Sequence, residues 1–147
     1  MIYAIIALFV SATTVTWWIV GDQTDPEAKL LGLPLDYVIR PPDLSATQEQ
    51  IIGIAATIVL AASLAVLVGA VLRRRADPLW LLAVVPLSLA AVIAGTCWRI
   101  FTAGVIGANV GVGLLTLFVL PIAAVMLLLT ALVLIAIHRR KSLRSYG

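Results

Sequence analysis

Apolar residues dominate four stretches of the chain, and polar or charged residues separate them. Residues 1–20 are almost wholly apolar, 51–72 and 79–98 are two further runs, and 110–137 lies inside an uncharged stretch from Ile100 to Ile137. As an α-helix, the 22 residues of the second run extend for about 33 Å, enough to cross a hydrocarbon core of about 30 Å. The pattern predicts an all-α fold, an integral membrane four-helix bundle with helices at about 1–20, 51–72, 79–98 and 110–137.

Helix-start signals mark several boundaries. Ser45 and Gln48 have the spacing of a capping box at the start of the second long helix. Asp25-Pro26 is typical of an N-cap followed by proline, which predicts one or two helical turns over 26–32, and Asp77-Pro78 repeats the signal before the third run. Because the second and third runs are only a few residues apart, we expect them to form an antiparallel hairpin.

The loop at 21–50 is acidic, with six carboxylates against Lys29 and Arg40. Apolar side chains alternate over 33–39, which predicts an extended stretch with one apolar face, and Pro41-Pro42 ends it. A loop of this length and composition is expected to lie on the membrane surface or on a partner.

The first run favours an uncleaved anchor helix over a cleaved signal peptide. Its first three residues carry no charged side chain, and it closes with TWWIVGD in place of a small-residue cleavage site. Trp17 and Trp18 are typical of an interfacial aromatic belt.

The basic residues predict the orientation. Arg73, Arg74 and Arg75 follow the second helix and four more basic residues follow the fourth, whereas Lys29, Arg40 and Arg99 fall at the opposite end. By the positive-inside rule both termini are cytoplasmic, and the acidic loop is extracytoplasmic.

Composition agrees with a membrane protein. The 147 residues are 63% hydrophobic and 12% charged, whereas a soluble domain is about 45–50% apolar and about 25% charged. One cysteine, Cys97, and one histidine, His138, exclude a disulfide or a multi-histidine metal site within one chain. We expect no cofactor, no bound metal and no nucleic-acid partner, since the basic residues flank apolar runs.

Small residues recur at four-residue spacing on several helices. Such spacing lets helix backbones approach closely in lipid, either inside one bundle or against a partner subunit. The candidate helix-packing or partner faces are Ala61, Ala65 and Gly69; Ala90 with Ala94, alongside Ala91 with Gly95; and Gly107 with Gly111.

Few polar residues lie in the predicted spans. Arg99, at the outer end of the third helix, is expected to snorkel to the headgroups or pair with the acidic loop, with an anion or partner contact as the alternative. Asn109 either hydrogen-bonds another helix or lies in the outer turn. The glycine-rich segment 102–111 is either a re-entrant turn or a turn leading into the fourth helix. Pro86 and Pro121 predict kinks.

Two phrases, TWWIVGD at 16–22 and TAGVIGANVGVGLL at 102–115, resemble segments of small uncharacterised multi-pass membrane proteins of high-GC actinobacteria. The resemblance implies a bacterial plasma membrane and carries no activity with it.

No catalytic motif accompanies these features. The chain has no GxSxG elbow, no HExxH pair and no pair of carboxylates within a span. We therefore expect a non-enzymatic accessory or assembly subunit of a larger membrane complex, whose partners are lipid and other membrane subunits or a second copy of itself. The alternatives are a small homo-oligomeric channel or facilitator, and a membrane sensor that uses the 21–50 loop.

Overall fold

Helices make up most of the described residues, and loops connect them. A computed structural model describes residues 2–74, 79–105 and 108–144. The helices are α1 (Ile2–Val20), α2 (Pro26–Leu30), α3 (Ala46–Leu72), α4 (Leu79–Phe101), α5 (Ala108–Leu114) and α6 (Leu120–Arg144), with a π-helical turn at Leu115–Val119 joining the last two. Four helical stretches are long and apolar enough to cross a bilayer: Ile2–Val20, Ala46–Leu72, Leu79–Phe101 and Gly111–Arg140. This arrangement is compatible with a multi-pass membrane protein.

The long helices pack in the order α3, α1, α4, α6. α1 lies against both α3 and α4, and α6 lies against α4. Where the structure describes them, α3 and α4 contact each other less than each contacts α1. Residues 75–78, which connect them, lie outside the described residues, so the antiparallel hairpin stays a prediction. A short connection makes two helices neighbours in sequence, but the shapes of their faces decide which neighbour each one packs against.

Two glycines explain why α1 occupies the middle. A Cβ atom at Gly53 of α3 would overlap the Trp18 ring of α1, and one at Gly95 of α4 would meet the carbonyl oxygen of Thr13 and, at 2.8 Å, Cβ of Thr16. Each glycine therefore lets α1 approach more closely than a larger residue would allow. Toward the other end of α1, Ile5 and Leu8 form an apolar core with Leu67 and Leu87.

The capping signals are confirmed where the structure describes them. The Asp25 carboxylate accepts from the amides of Glu27 and Ala28 at the start of α2. Ser45 and Gln48 form the reciprocal capping box of α3. α3 consequently begins at Ala46, so the loop predicted to reach residue 50 ends at the cap. The Asp77-Pro78 signal lies outside the described residues.

The last two long helices extend beyond their predicted bounds. α4 continues to Phe101 through Pro86, and the final helical stretch runs from Ala108 to Arg144. The π-helical turn immediately precedes Pro121, and its closing amide, on Leu120, donates to the Leu115 carbonyl. Since proline has no amide hydrogen and its ring crowds the preceding turn, a widened turn is one of the distortions it favours.

The loop folds back over the end of α4. Ile39 donates its amide to the Phe101 carbonyl at 3.0 Å, Asp25 donates to Gly104 at 3.0 Å, and Asp36 pairs with Val105 in an isolated antiparallel bridge. Residues 102–105 of the glycine-rich segment are therefore held by the loop. Residues 108–111 belong to α5, and residues 106–107 lie outside the described part.

Candidate functional site

Arg99 joins three helices at the end of the molecule that carries the loop. Only 6% of the residue is exposed, although it carries a charge. Its Nη2 donates to both carboxylate oxygens of Glu49 on α3, at 3.0 and 3.1 Å, and its Nε donates to the Trp17 carbonyl on α1 at 2.9 Å. The guanidinium carbon also lies 4.2 Å from the centroid of the Trp17 ring. This contact set ties α1, α3 and α4 together.

Local structure supplies each partner of Arg99. Gly21 has a positive φ of 69° just after α1 ends, as is typical of a glycine that terminates a helix. The Trp17 carbonyl is among the last four of α1, which lack a partner within the helix and can accept from a side chain. Glu49 lies in the first turn of α3 and Arg99 in the last turn of α4, where helix dipoles favour a negative and a positive charge respectively.

These contacts bear on two sequence expectations. Arg99 pairs with Glu49, a residue of the acidic segment 21–50, which is the pairing that the sequence offered as the alternative to snorkelling. Trp17 is buried beneath Arg99, and Trp18 packs over Gly53. Both rings therefore contact neighbouring helices, and their place in an interfacial aromatic belt stays a prediction.

An open cleft lies above Arg99, and we call it the loop cleft. Its volume is about 340 Å³, and its lining includes Asp22, Lys29, Tyr37, Asp43, Glu49 and Arg99. The Tyr37 ring packs over Gly104, where an added Cβ would lie 2.6 Å from the ring, so one side of the cleft rests on the residues that follow α4. The loop and the ends of three helices thus build a polar cavity at one end of an otherwise apolar molecule.

Asp22 carries the clearest electrostatic perturbation in the loop. The Thr24 hydroxyl donates to its carboxylate at 2.7 Å, and the Thr24 amide does so at 3.0 Å. The Thr24 hydroxyl is the largest cause that lowers the pKa of Asp22. Partial burial raises this pKa, but the Thr24 amide, Lys29 and Arg99 lower it further. The ionised form of the Asp22 carboxylate is therefore favoured.

The small-residue faces differ in what covers them. On α4, Ala90 and Ala91 are buried, Ala94 is half-buried, and Gly95 lies against α1. On α3, Ala61 and Ala65 are exposed, and a Cβ at Gly69 would meet nothing within 4 Å.

The third predicted face is described only in part. Gly111 is exposed, and a Cβ there would also be in open space. Gly107 and the Asn109 side chain lie outside the described residues, while the backbone of residue 109 belongs to α5.

Sequence reasoning did not identify Glu49 as the partner of Arg99, nor the cleft residues Lys29, Tyr37 and Asp43. One available signal was the capping box, since a helix that starts at Ala46 places Glu49 in its first turn. The predicted topology brings that turn to the same end of the molecule as Arg99. No residue spacing identifies the cleft lining, because it depends on how the loop folds.

Comparisons of the chain with protein-family models, with curated proteins and with solved structures give no match. The resemblance to actinobacterial membrane proteins stays a prediction.

Proposed function

We propose that this chain is a non-catalytic multi-pass protein of a bacterial plasma membrane that serves as an accessory or assembly subunit, and that α3 is the helix that docks on its partner. The observation that carries the proposal is the open small-residue face of Ala61, Ala65 and Gly69. Both termini are cytoplasmic in this proposal, since Arg73 and Arg74 follow the end of α3, and Arg139 and Arg140 lie near the end of α6.

The comparison between α3 and α4 supports the choice of surface. On α4, the small residues Ala91 and Gly95 are covered, and Gly95 is in close contact with α1. On α3, α1 packs on the face that contains Gly53, and Gly69 remains open. An open groove of about 420 Å³ lies there, lined by Ala65, Val66, Gly69, Ala70 and Arg73. Small residues along such a groove allow a second helix backbone to approach closely in lipid.

A small oligomeric channel is the second candidate, and the π-helical turn before Pro121 favours it. Such turns occur often at functional positions, and Leu117, Phe118 and Leu120 around this one are exposed. Since the described helices pack one after another without closing a ring, a pore requires several copies of the chain. Liposomes that contain the purified protein should then pass a solute, and Pro121→Ala should change the flux.

The deciding experiment is purification from the native membrane in mild detergent, followed by native mass spectrometry. We expect a fixed set of larger membrane subunits with the unmodified chain, and their loss with Ala65→Leu or Gly69→Leu. Ala131→Leu, an exposed position on α6, is the matched control and should retain them. None of the three variants should unfold more easily than the unmodified chain.

Each other outcome has a clear meaning. Companions that survive Ala61→Leu, Ala65→Leu and Gly69→Leu would show that α3 is not the docking helix. A homo-oligomer without other subunits would favour the channel, and a monomer in the native membrane would contradict both proposals.

A further inference from the structure

The loop cleft presents charges of both signs, and three of its charged residues form no ion pair within the described part of the chain. Lys29 and Asp22 lie close enough for Lys29 to lower the pKa of Asp22. Within the described residues, however, the salt bridge within 4.0 Å is Arg99–Glu49, so Lys29, Asp22 and Asp43 form no ion pair. The cleft lining therefore contains a cation and two carboxylates that form no ion pair with one another.

The Arg99 guanidinium also has a nitrogen that forms none of the described hydrogen bonds. Those bonds use Nε and Nη2, which leaves Nη1. No fully buried side-chain nitrogen or oxygen in the described part of the chain lacks a hydrogen-bond partner, so Nη1 is not fully buried. Arg99 lines the cleft, and Glu49 and Trp17 hold its guanidinium in place.

We propose that the loop cleft binds a small zwitterionic group, with its anion at Arg99 and Lys29 and its cation at Asp22 and Asp43. The cleft volume of about 340 Å³ is at the lower end of the range of about 300–1,000 Å³ that is typical of small-molecule sites. A group with a single charge leaves one pair of cleft charges unmatched, so charge complementarity favours the zwitterion. Tyr37 adds an aromatic wall beside these charges.

A metal ion is not the expected ligand. The described residues contain no group of three or more His, Cys, Asp or Glu side chains placed to hold a metal. Two of the cleft residues are cations, which oppose metal binding and favour a ligand with an anionic end.

Two sources supply this chemistry. The cleft is built on the ends of α1 and α4 and the start of α3, three helices of membrane-spanning length, so a phosphatidylethanolamine headgroup in the adjacent leaflet lies within its reach. A free amino acid in the aqueous phase carries the same pair of charges.

The test is calorimetric titration of the full chain in a zwitterion-free, non-ionic detergent. The zwitterionic probes are sn-glycero-3-phosphoethanolamine and L-alanine. The single-charge controls are ethanolamine and dimethyl phosphate for the first probe, and alanine amide and N-acetylalanine for the second. We expect at least one zwitterion to bind about tenfold more tightly than both of its controls, as one additional charged hydrogen bond would provide.

The loop offers matched variants. Lys29→Gln should weaken the zwitterion about tenfold, whereas Arg40→Gln, which removes an equal charge from the same loop but outside the cleft lining, should change binding by less than about twofold. Asp43→Asn and Asp36→Asn form the corresponding pair of acidic variants. Asp43→Asn, in the cleft lining, should weaken binding of the zwitterion, and Asp36→Asn, outside the lining, should not.

Every result decides the proposal. Binding of sn-glycero-3-phosphoethanolamine alone supports the lipid headgroup, and binding of L-alanine supports a free solute. The proposal is overturned if neither zwitterion exceeds its controls, or if Lys29→Gln and Arg40→Gln weaken binding equally.

Discussion

Trp17 contacts Arg99 through both its backbone carbonyl and its side-chain ring. The Arg99 Nε donates to the Trp17 backbone carbonyl at 2.9 Å, and the guanidinium carbon lies 4.2 Å from the centroid of the Trp17 ring. Glu49 then neutralises the charge from α3 at 3.0 Å. A buried cation is costly without such partners, so the three contacts together allow an arginine to lie between helices of an apolar molecule.

Removal of this cation should destabilise the protein strongly. Arg99→Met is expected to lower the free energy of unfolding by about 2–4 kcal/mol, because Glu49 is left without its partner and the stack on Trp17 is lost. Arg99→Lys should recover only part of the loss, since a single ammonium cannot reproduce the planar fork of donors. Denaturant titration in detergent micelles, followed by circular dichroism, measures both. Arg40→Met, on the exposed loop, is the control, and an equal effect of the two Met variants would contradict the structural role of Arg99.

Glycine-to-alanine substitutions at Gly95 and Gly69 should change the stability of the protein in opposite directions. Gly95→Ala should destabilise the protein by about 1–3 kcal/mol, because the new Cβ meets the backbone of α1. Gly69→Ala meets nothing within 4 Å and should stabilise α3 by about 0.5–1 kcal/mol, as alanine favours the helix. Thermal unfolding of the two variants in detergent measures the difference, and equal shifts of the same sign would refute the packing of α1 on Gly95.

Gly104 should control whether the loop stays on the end of α4. A Cβ at this position lies 2.6–2.7 Å from the Tyr37 ring, so Gly104→Val should displace Tyr37 and weaken the bridge between Asp36 and Val105. Hydrogen exchange should then accelerate at the amides of Asp25, Ile39 and Val105, which the loop contacts protect. Gly113→Val, in open space on α5, should leave those amides unchanged. Unaltered exchange in the Gly104 variant would show that the loop does not depend on this contact.

Asp22 should make the loop end sensitive to acid. Its pKa in the folded protein is lowered from the ordinary value of 3.8, mainly by the Thr24 hydroxyl. The stabilisation from the ionised carboxylate is therefore complete above pH 3.8 and is lost as the pH falls through the lower folded-state pKa. Asp22→Asn should be less stable than the unmodified chain at pH 6, and the difference should shrink below pH 3.8. Denaturant titrations at several pH values test this, and a difference that stays constant with pH would contradict it.

The sequence by itself determined the long helices and their caps. Uninterrupted apolar runs of membrane-spanning length leave few alternatives, because backbone groups in lipid must be paired within a helix or a closed barrel. The capping boundaries follow equally directly, since Asp25 and Ser45 satisfy amides only two or three residues away. These are local interactions, so the order of residues is enough to specify them.

The tertiary structure alone decided which helices touch and where the polar site lies. Ala65 and Gly95 belong to similar small-residue patterns, yet one is exposed and the other is covered by α1. Arg99 and Glu49 are fifty residues apart, and their pairing depends on the packing of α3 and α4 around α1. Such contacts follow from the fit of whole helix faces and from the fold of the loop, which no local spacing in the chain encodes.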